Sequence, residues 1–494
     1  MIDDAARVRR IDDAARVRRI DDAARVRRPA WVRSRFGLSL PALLTVLVLG
    51  GLCGLCGDAP DASDASVGVG IPAHREVSAG LARTPPMGWN SWNLRGAAVS
   101  AVDIRAAADA LVATGMRDAG YRYVTIDDGW MFPARDEHGT LIADPGRFPG
   151  GIAALARYVH ARGLRLGIYE SPGRTTCQGR PGSYGHEAHD AVTFAAWGVD
   201  YLKYDACSYP GLRPAGTSAR AWLVAGFTRM RNALDATGRP IVYSINPSSS
   251  GDPAGERAWS WAPSVANLWR VTNDHAPCWA TVLPMDYYPG VCTSDSFDPA
   301  SAWASEGGPG HWNDLDMLAV GLTPSAVNPD VENLASLATG RVSNQLDDIE
   351  ARTELSVWSM FASALIAGND LTTMSPATRT MLTNRAVLAI DQDPLGGPAS
   401  RRGGDSWDGL SVWTRPLAGG DTAVLVVNRG DTRRAADLPG SPLALRANPA
   451  GYEIADLWTG RLTRPAGTVP TLSVDLAPHE AALLRLTPVG RTAG

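Results

Sequence analysis

The chain has 494 residues, 45% of them apolar and 20% charged, with a formal net charge of −4. That composition belongs to an ordinary folded protein with a sizeable core, long enough for one large domain and a small one. Residues 1–36 carry about +5, so the remainder sits near −9, and Lys203 is the only lysine among 47 basic residues; such an acidic body argues against nucleic acid as a partner.

The first 28 residues hold IDDAARVRR three times, at 2–10, 11–19 and 20–28. A nine-residue period matches no solenoid, so the Arg-rich segment 1–36 reads as a local duplication or a start codon placed too far upstream. Arg33 and Arg35 then precede the apolar run 37–56, which gives way to "GDAPDASDAS". Basic, apolar and small residues in that order describe a secretory signal over 37–60, not a spanning helix. The expectation is a secreted protein with no stable membrane span once the signal is removed. Beyond it lie Cys177, Cys207, Cys278 and Cys292. An even number in an exported chain implies two disulfides, with three pairings open.

From Met87 to about Pro394, strand-like runs alternate with helical patterns. "MGWNSW" (87–92) comes first, then a helix opened by Ser100 with Asp103 at capping-box spacing. "YRYVTIDD" (121–128), a helix at 151–162, "RLGIYE" (165–170), a helix at 189–197 and "VDYLKYD" (199–205) follow. The amphipathic run 217–237 leads to "PIVYSIN" (240–246), then come "NLWRVTND" (267–274), "HWNDLDM" (311–317), a helix at 350–364 and "LIAGND" (365–370). Eight strands with mostly helical connections predict a (β/α)8 barrel over residues 81–398. Residues 399–494 change texture: strand runs separated by Gly, Pro and Asp predict an antiparallel β-sandwich without a catalytic cluster.

Each barrel strand begins apolar and ends polar: Trp92, Asp127 and Asp128, Glu170, Asp205, Asn246, Asp274, Asp316, Asp370. The C-terminal ends of barrel strands share one face, so these side chains are expected to converge there. Some must instead cap helices, and Asp370 is the clearest candidate for that. In "YLKYDAC" the period of two sends Tyr201, Lys203 and Asp205 to one face. A cation and an anion on one inward face are costly unless a site uses them. His186 and His189 lack the i, i+4 spacing of a zinc helix, and neither GxGxxG nor GxSxG marks a cofactor or serine nucleophile. No metal or cofactor is expected. Carboxylates alone remain, and a pair flanking a bond is the arrangement of glycoside hydrolysis.

"TPPMGWNSW", "YVTIDDGW", "LGIYESPGRTTCQGRPGSYG", "YLKYDAC", "LWRVTND", "GHWNDLDML" and "LIAGNDL" together resemble glycoside hydrolase family 27, which holds α-galactosidases and α-N-acetylgalactosaminidases. The resemblance implies a retaining exo-glycosidase acting on terminal α-linked D-galactose in an oligosaccharide or glycoside. It implies Asp205 as nucleophile and Asp274 as acid/base. Asp127 and Asp128 would grip the 4- and 6-hydroxyls, and Lys203 would donate to those at C3 and C4. Trp92, Tyr169, Arg270 and Asp316 match other pocket-lining positions. It further implies a Cys177–Cys207 disulfide beside the nucleophile, leaving Cys278 with Cys292.

The catalytic roles carry physical expectations. The Lys203 ammonium should favour ionised Asp205, and Asp274 should sit in a drier place that raises its pKa. Three departures from the family stand out. Gly129 replaces a common disulfide-bonded Cys, "SINPSSS" (244–250) replaces the segment that reads C2, and an aromatic-rich loop fills 275–306. Asn246 can still hydrogen-bond a hydroxyl, but a β-L-arabinopyranosidase, an α-N-acetylgalactosaminidase or an isomaltodextranase-like enzyme stays open. The aromatics Trp279, Tyr287, Tyr288, Phe297 and Trp303 would stack further sugars or form a local core. A Schiff-base lyase on Lys203 and a non-catalytic sugar-binding protein are the readings from other classes.

Overall fold

The computed structural model describes residues 80–247, 257–283, 291–403, 407 and 409–490. The repeats of 1–36 and the signal-like segment 37–60 lie outside these residues. Among the described residues, eight parallel strands form the first sheet: β1 Met87–Asn90, β2 Tyr123–Ile126, β3 Arg165–Glu170, β4 Tyr201–Asp205, β5 Val242–Asn246, β6 Leu268–Arg270, β7 Trp312–Asp314 and β8 Leu365–Ala367. Their order is β7-β6-β5-β4-β3-β2-β1-β8. A parallel bridge between Leu318, just past β7, and Ala367 of β8 closes the barrel.

Alternation divides each strand between two cores. Tyr123, Tyr201, Val242, Leu268, Met317 and Ile366 fill the barrel interior. Leu202 and Tyr204 face outward and are fully buried, Tyr204 lying edge-on against Phe227 of the helix Ala219–Ala236. The surrounding helices bury the stripes that a 3.6-residue period demands. Ile152, Leu155, Ala156 and Val159 form one such stripe on the helix Gly151–His160. Ser100 and Asp103 close a capping box at the start of the helix Ala101–Ala113.

The strands are shorter than their sequence patterns. The polar ends leave the ladder and turn over the barrel mouth, as at Trp92, which opens the one-turn helix Trp92–Arg95. After β7 the chain cannot remain extended because Asp316 has φ 79°. The helix Pro329–Thr339 was not anticipated, although Asn328 caps it by accepting the Asp330 N–H and proline occupies its first turn.

The C-terminal region is an antiparallel β-sandwich. Its larger sheet has six strands in the order β14-β13-β16-β11-β10-β9 and the smaller pairs β12 with β15. In chain order these are Ser400–Arg402, Leu410–Pro416, Thr422–Asn428, Arg434–Pro439, Tyr452–Asp456, Leu462–Thr463, Thr471–Leu476 and Ala481–Pro488 for β9 to β16. Val412, Val424 and Leu486 of one sheet pack with Leu438, Leu472 and Leu476 of the other. The sandwich docks on the barrel through the helix Asp348–Met360, which is buried from Thr353 to Met360. Thr353 Oγ1 donates to His479 O at 2.7 Å, and Trp458 Nε1 donates to Ser356 Oγ at 2.9 Å. The buried Arg415 donates through Nη1 to Ser359 O and Ile390 O, both at 2.9 Å. No helix among the described residues is long and apolar enough to cross a membrane.

Ser100→Ala should remove the capping bond and lower unfolding free energy by about 1 kcal/mol. Urea denaturation reads this directly; an unchanged midpoint would show that the cap contributes nothing.

Candidate active site

The barrel mouth holds one pocket where the strand ends meet. Asp127 and Asp128 reach it from the end of β2, Tyr169 from β3, Lys203 and Asp205 from β4, and Asp274 and Asp316 from the loops after β6 and β7. Trp92 lies on its wall, half-buried. Arg270 and Asn246 line a smaller cavity deeper in the barrel, which shares Lys203, Asp316 and Met317 with the first. Two strand-end carboxylates are not brought in. Glu170 faces away from Tyr169 and is buried behind the wall, its Oε2 accepting the Ser171 N–H at 2.6 Å. Asp370 closes a local turn, accepting the Thr372 N–H at 2.9 Å.

The charges pair across strands. Lys203 Nζ donates to Asp127 Oδ2 at 2.7 Å, and Asn90 Nδ2 donates to the same oxygen at 2.7 Å. Asp127 Oδ1 accepts the Asp128 N–H, and the Gly129 and Gln178 N–H groups donate to Asp128 at 2.6 and 2.9 Å. Burial nonetheless pushes the Asp128 carboxyl up to about 6. On the opposite side Arg270 is buried and reaches Asp316 at 2.9 Å and Asp274 at 3.2 Å.

Asp205 stands between these pairs. Burial pushes its carboxyl up to about 7, against the pull of Lys203 and Arg270 and with the help of Asp127 and Asp274. Its Oδ1 is buried without a hydrogen-bond partner. The expected stabilisation by Lys203 is present, but the ammonium is bonded to Asp127 and desolvation outweighs it. Burial, with the charge of neighbouring Asp205 adding to it, holds the Tyr169 hydroxyl well above its usual pKa. Asp274 departs further from expectation: its side chain is 65% exposed at the rim, not in a dry place. β6 ends at Arg270, four residues before Asp274, and the Arg270 side chain reaches back to it from within the barrel.

Disulfides join Cys177 to Cys207 and Cys278 to Cys292. A carboxylate oxygen of Asp205 lies within 4.8 Å of both sulfurs of the first pair. Those sulfurs are bonded to each other, so this cluster offers no thiolate ligands to a metal. Gly129 has φ 89°, and a Cβ there would stand 2.8 Å from Ala97 Cα. Arg147 ties this loop instead, donating to Gly129 O at 2.5 Å, Ala97 O at 2.6 Å and Val99 O at 3.1 Å. In the loop after β6, Trp279 stacks on His479 at 4.3 Å and meets Phe297 edge-on, and Trp303 is half-buried. Trp279 and Phe297, which meets Trp413, belong to the seam with the sandwich, and Trp303 packs against the main core; Tyr287 and Tyr288 lie outside the described residues.

Several residues of the site escaped the sequence reading. Asn90 orients Asp127, and His275 binds Asp316 through its backbone. Asp330, Val331 and Leu334 of the unanticipated helix form one wall. Asn90 sits in the strand pattern and was legible as polar, whereas the others are brought in only by folding.

The family model described as "Alpha galactosidase A" matches residues 84–393, and that described as "Alpha galactosidase C-terminal beta sandwich domain" matches 408–486. The chain is 38% identical over 429 residues to alpha-galactosidase A of Cellvibrio japonicus, covering 85% of this chain and 96% of that one. It is 35% identical to the alpha-N-acetylgalactosaminidase of Gallus gallus, covering 83% of this chain and 95% of that one. The crystal structure of alpha-galactosidase I from Mortierella vinacea superposes with a TM-score of 0.71 at 30% identity, covering 83% and 98% of the two chains. With both domains matched and the carboxylate-lined mouth in place, the chain belongs to the alpha-galactosidase family of glycoside hydrolases, glycoside hydrolase family 27.

Proposed function

We propose that this glycoside hydrolase removes terminal α-linked D-galactose with retention, using Asp205 and Asp274. The observation that carries the reading is the contrast between them: a buried carboxylate with an uncommitted oxygen and a rim carboxylate held by Arg270. In the first step an Asp205 oxygen bonds to the anomeric carbon, and the bond to the leaving oxygen breaks. Asp274 gives that oxygen its proton. In the second step Asp274 takes a proton from water, whose oxygen bonds to the anomeric carbon and frees Asp205. Exposure at the rim lets Asp274 exchange protons with solvent between turnovers.

Lys203, Asp127 and Asp128 present one ammonium and two carboxylates to the sugar hydroxyls. Asn246, in the deeper cavity, stands one strand from Asp205 at the same register, where it would reach toward C2. The apolar segment behind its basic flank, together with two disulfides, supports export of the protein. The barrel of 81–398 would carry the chemistry and 399–494 would buttress it.

A panel of nitrophenyl glycosides tests the sugar: turnover of the α-galactoside should exceed that of the β-L-arabinopyranoside and the α-N-acetylgalactosaminide. Asp205→Asn should abolish nearly all turnover, and Asp205→Gly with azide should release a galactosyl azide of inverted configuration; turnover persisting in the Asn variant would remove Asp205 from the mechanism. The same substitution should also stabilise the fold. A carboxyl raised from 3.8 to about 7 on folding loses stability as pH climbs between those values. Asp205→Asn should therefore gain at least about 1 kcal/mol at pH 8 and nothing at pH 4. Equal melting shifts at both pH values would contradict this. Asp274→Ala should lose far more rate on an α-galactosyl disaccharide than on substrates with activated phenol leaving groups, and equal losses would speak against Asp274 as the acid. Lys203→Arg should lose at least about tenfold in kcat/KM, or 1.4 kcal/mol, because the wider guanidinium must displace Asp127 or the sugar. Kinetics near those of the parent enzyme would withdraw the hydroxyl-donor role.

A further inference from the structure

The residue after Asp274 is a histidine with no place in the chemistry above, yet it is one of the most enclosed side chains at the mouth. His275 Nε2 lies 2.8 Å from Oε1 of Glu354, and both side chains are 0% exposed. Glu354 sits mid-way along the helix Asp348–Met360 that the sandwich covers. The same Oε1 accepts the Ala319 N–H at 2.7 Å. From its other end His275 donates its backbone N–H to Asp316 Oδ2 at 2.7 Å. Trp358, one helical turn beyond Glu354, sets its ring 5.0 Å from the imidazole and donates Nε1–H to Asp316 O at 2.9 Å. A single buried cluster thus fastens the loop after β6, the left-handed residue Asp316 and the helix beneath the sandwich.

Stability does not account for this pair. Glu354 Oε2 and His275 Nδ1 are both buried without partners, and two apolar side chains would fill the space without desolvating a carboxylate. What the pair does supply is a fixed point on the C-terminal side of Asp274, where Arg270 holds only the preceding side through the carbonyls of Thr272 and Asn273. Asp274 is mostly exposed, and its carboxylate is held by a 3.2 Å contact to Arg270. Consecutive Cα atoms are about 3.8 Å apart, so anchoring residue 275 on both its backbone and its side chain confines residue 274.

We propose that His275 and Glu354 are positioning residues for the acid/base step: their buried contact holds Asp274 where it can protonate the leaving oxygen. The proposal rests on reading Asp274 as the acid/base, and its test separates the two. His275→Leu, Glu354→Leu and the double variant are assayed on a dinitrophenyl α-galactoside and on an α-galactosyl disaccharide, with Asp274→Ala alongside. Each leucine variant should lose tenfold or more in kcat/KM on the disaccharide and less than threefold in kcat/KM on the activated substrate, the parameter that reports the first, leaving-group-dependent step. The double variant should be no worse than the poorer single. Glu354→Gln keeps an acceptor for both His275 and Ala319, and should retain at least a third of the parent rate on both substrates. If the leucine variants do not fold, His275→Asn, too short to reach Glu354, should show the same selective loss. Equal losses on both substrates, or a folded variant with the parent ratio, overturn the proposal. If Asp274→Ala itself shows no dependence on the leaving group, the acid/base reading fails and the proposal falls with it. If Asp274→Ala shows that dependence and the His275 variants do not, only the proposal falls.

Discussion

Charges brought to the dry end of a barrel must be neutralised by partners on other strands, and this requirement organises the site. Removing an ion from water costs several kcal/mol even after the protein relaxes, and excellent pairing is needed to offset it. Lys203 on β4 takes Asp127 at the end of β2, and Arg270 on β6 takes Asp316 beyond β7. Each pair spans elements far apart in sequence, so the pairing also sets how the strand ends sit around the pocket. What the pairs leave over is Asp205, buried between them with one oxygen uncommitted. The carboxylate that the network does not neutralise is the one proposed above as the nucleophile.

Loops that carry such pairs need restraint, because an unpaired shift of an ångström strands a charge. The Cys177–Cys207 disulfide holds the backbone two residues beyond Asp205 to the loop after β3. Across the mouth, Arg147 gathers the carbonyls of Ala97, Val99 and Gly129, with Asp144 at 3.1 Å orienting its guanidinium. Gly129 permits the close approach: its positive φ and missing Cβ let the loop lie against Ala97. A covalent tie and a carbonyl-binding arginine flank the pocket from two sides.

Among its described residues the sandwich lines no part of the pocket, but it bears on the helix that backs His275 of the pocket wall. Contacts from His479, Trp458 and Arg415 fall on Thr353, Ser356 and Ser359 of one helix, whose other face carries Glu354 and Trp358. The loop aromatics Trp279 and Phe297 thicken the same seam. A module in which the sequence shows no catalytic cluster thereby backs the site.

Much of this was legible without coordinates. Period-two alternation in YLKYD set Lys203 and Asp205 on the inner face, the eight βα alternations implied closure, and Ser100 with Asp103 announced a capped helix. Those features are local, written in spacing and residue type within one element. Ordered motifs likewise marked Asp127, Asp128, Asp274 and Asp316 for the mouth before any distance was known. Tertiary structure alone decided who pairs with whom: that Lys203 binds Asp127 and not Asp205, that Asp274 stands exposed at the rim, and that Glu170 turns away. It also brought His275 to Glu354 across 79 positions. Chain spacing dictates which face a side chain takes, but burial and charge pairing depend on neighbours that only the closed barrel assembles.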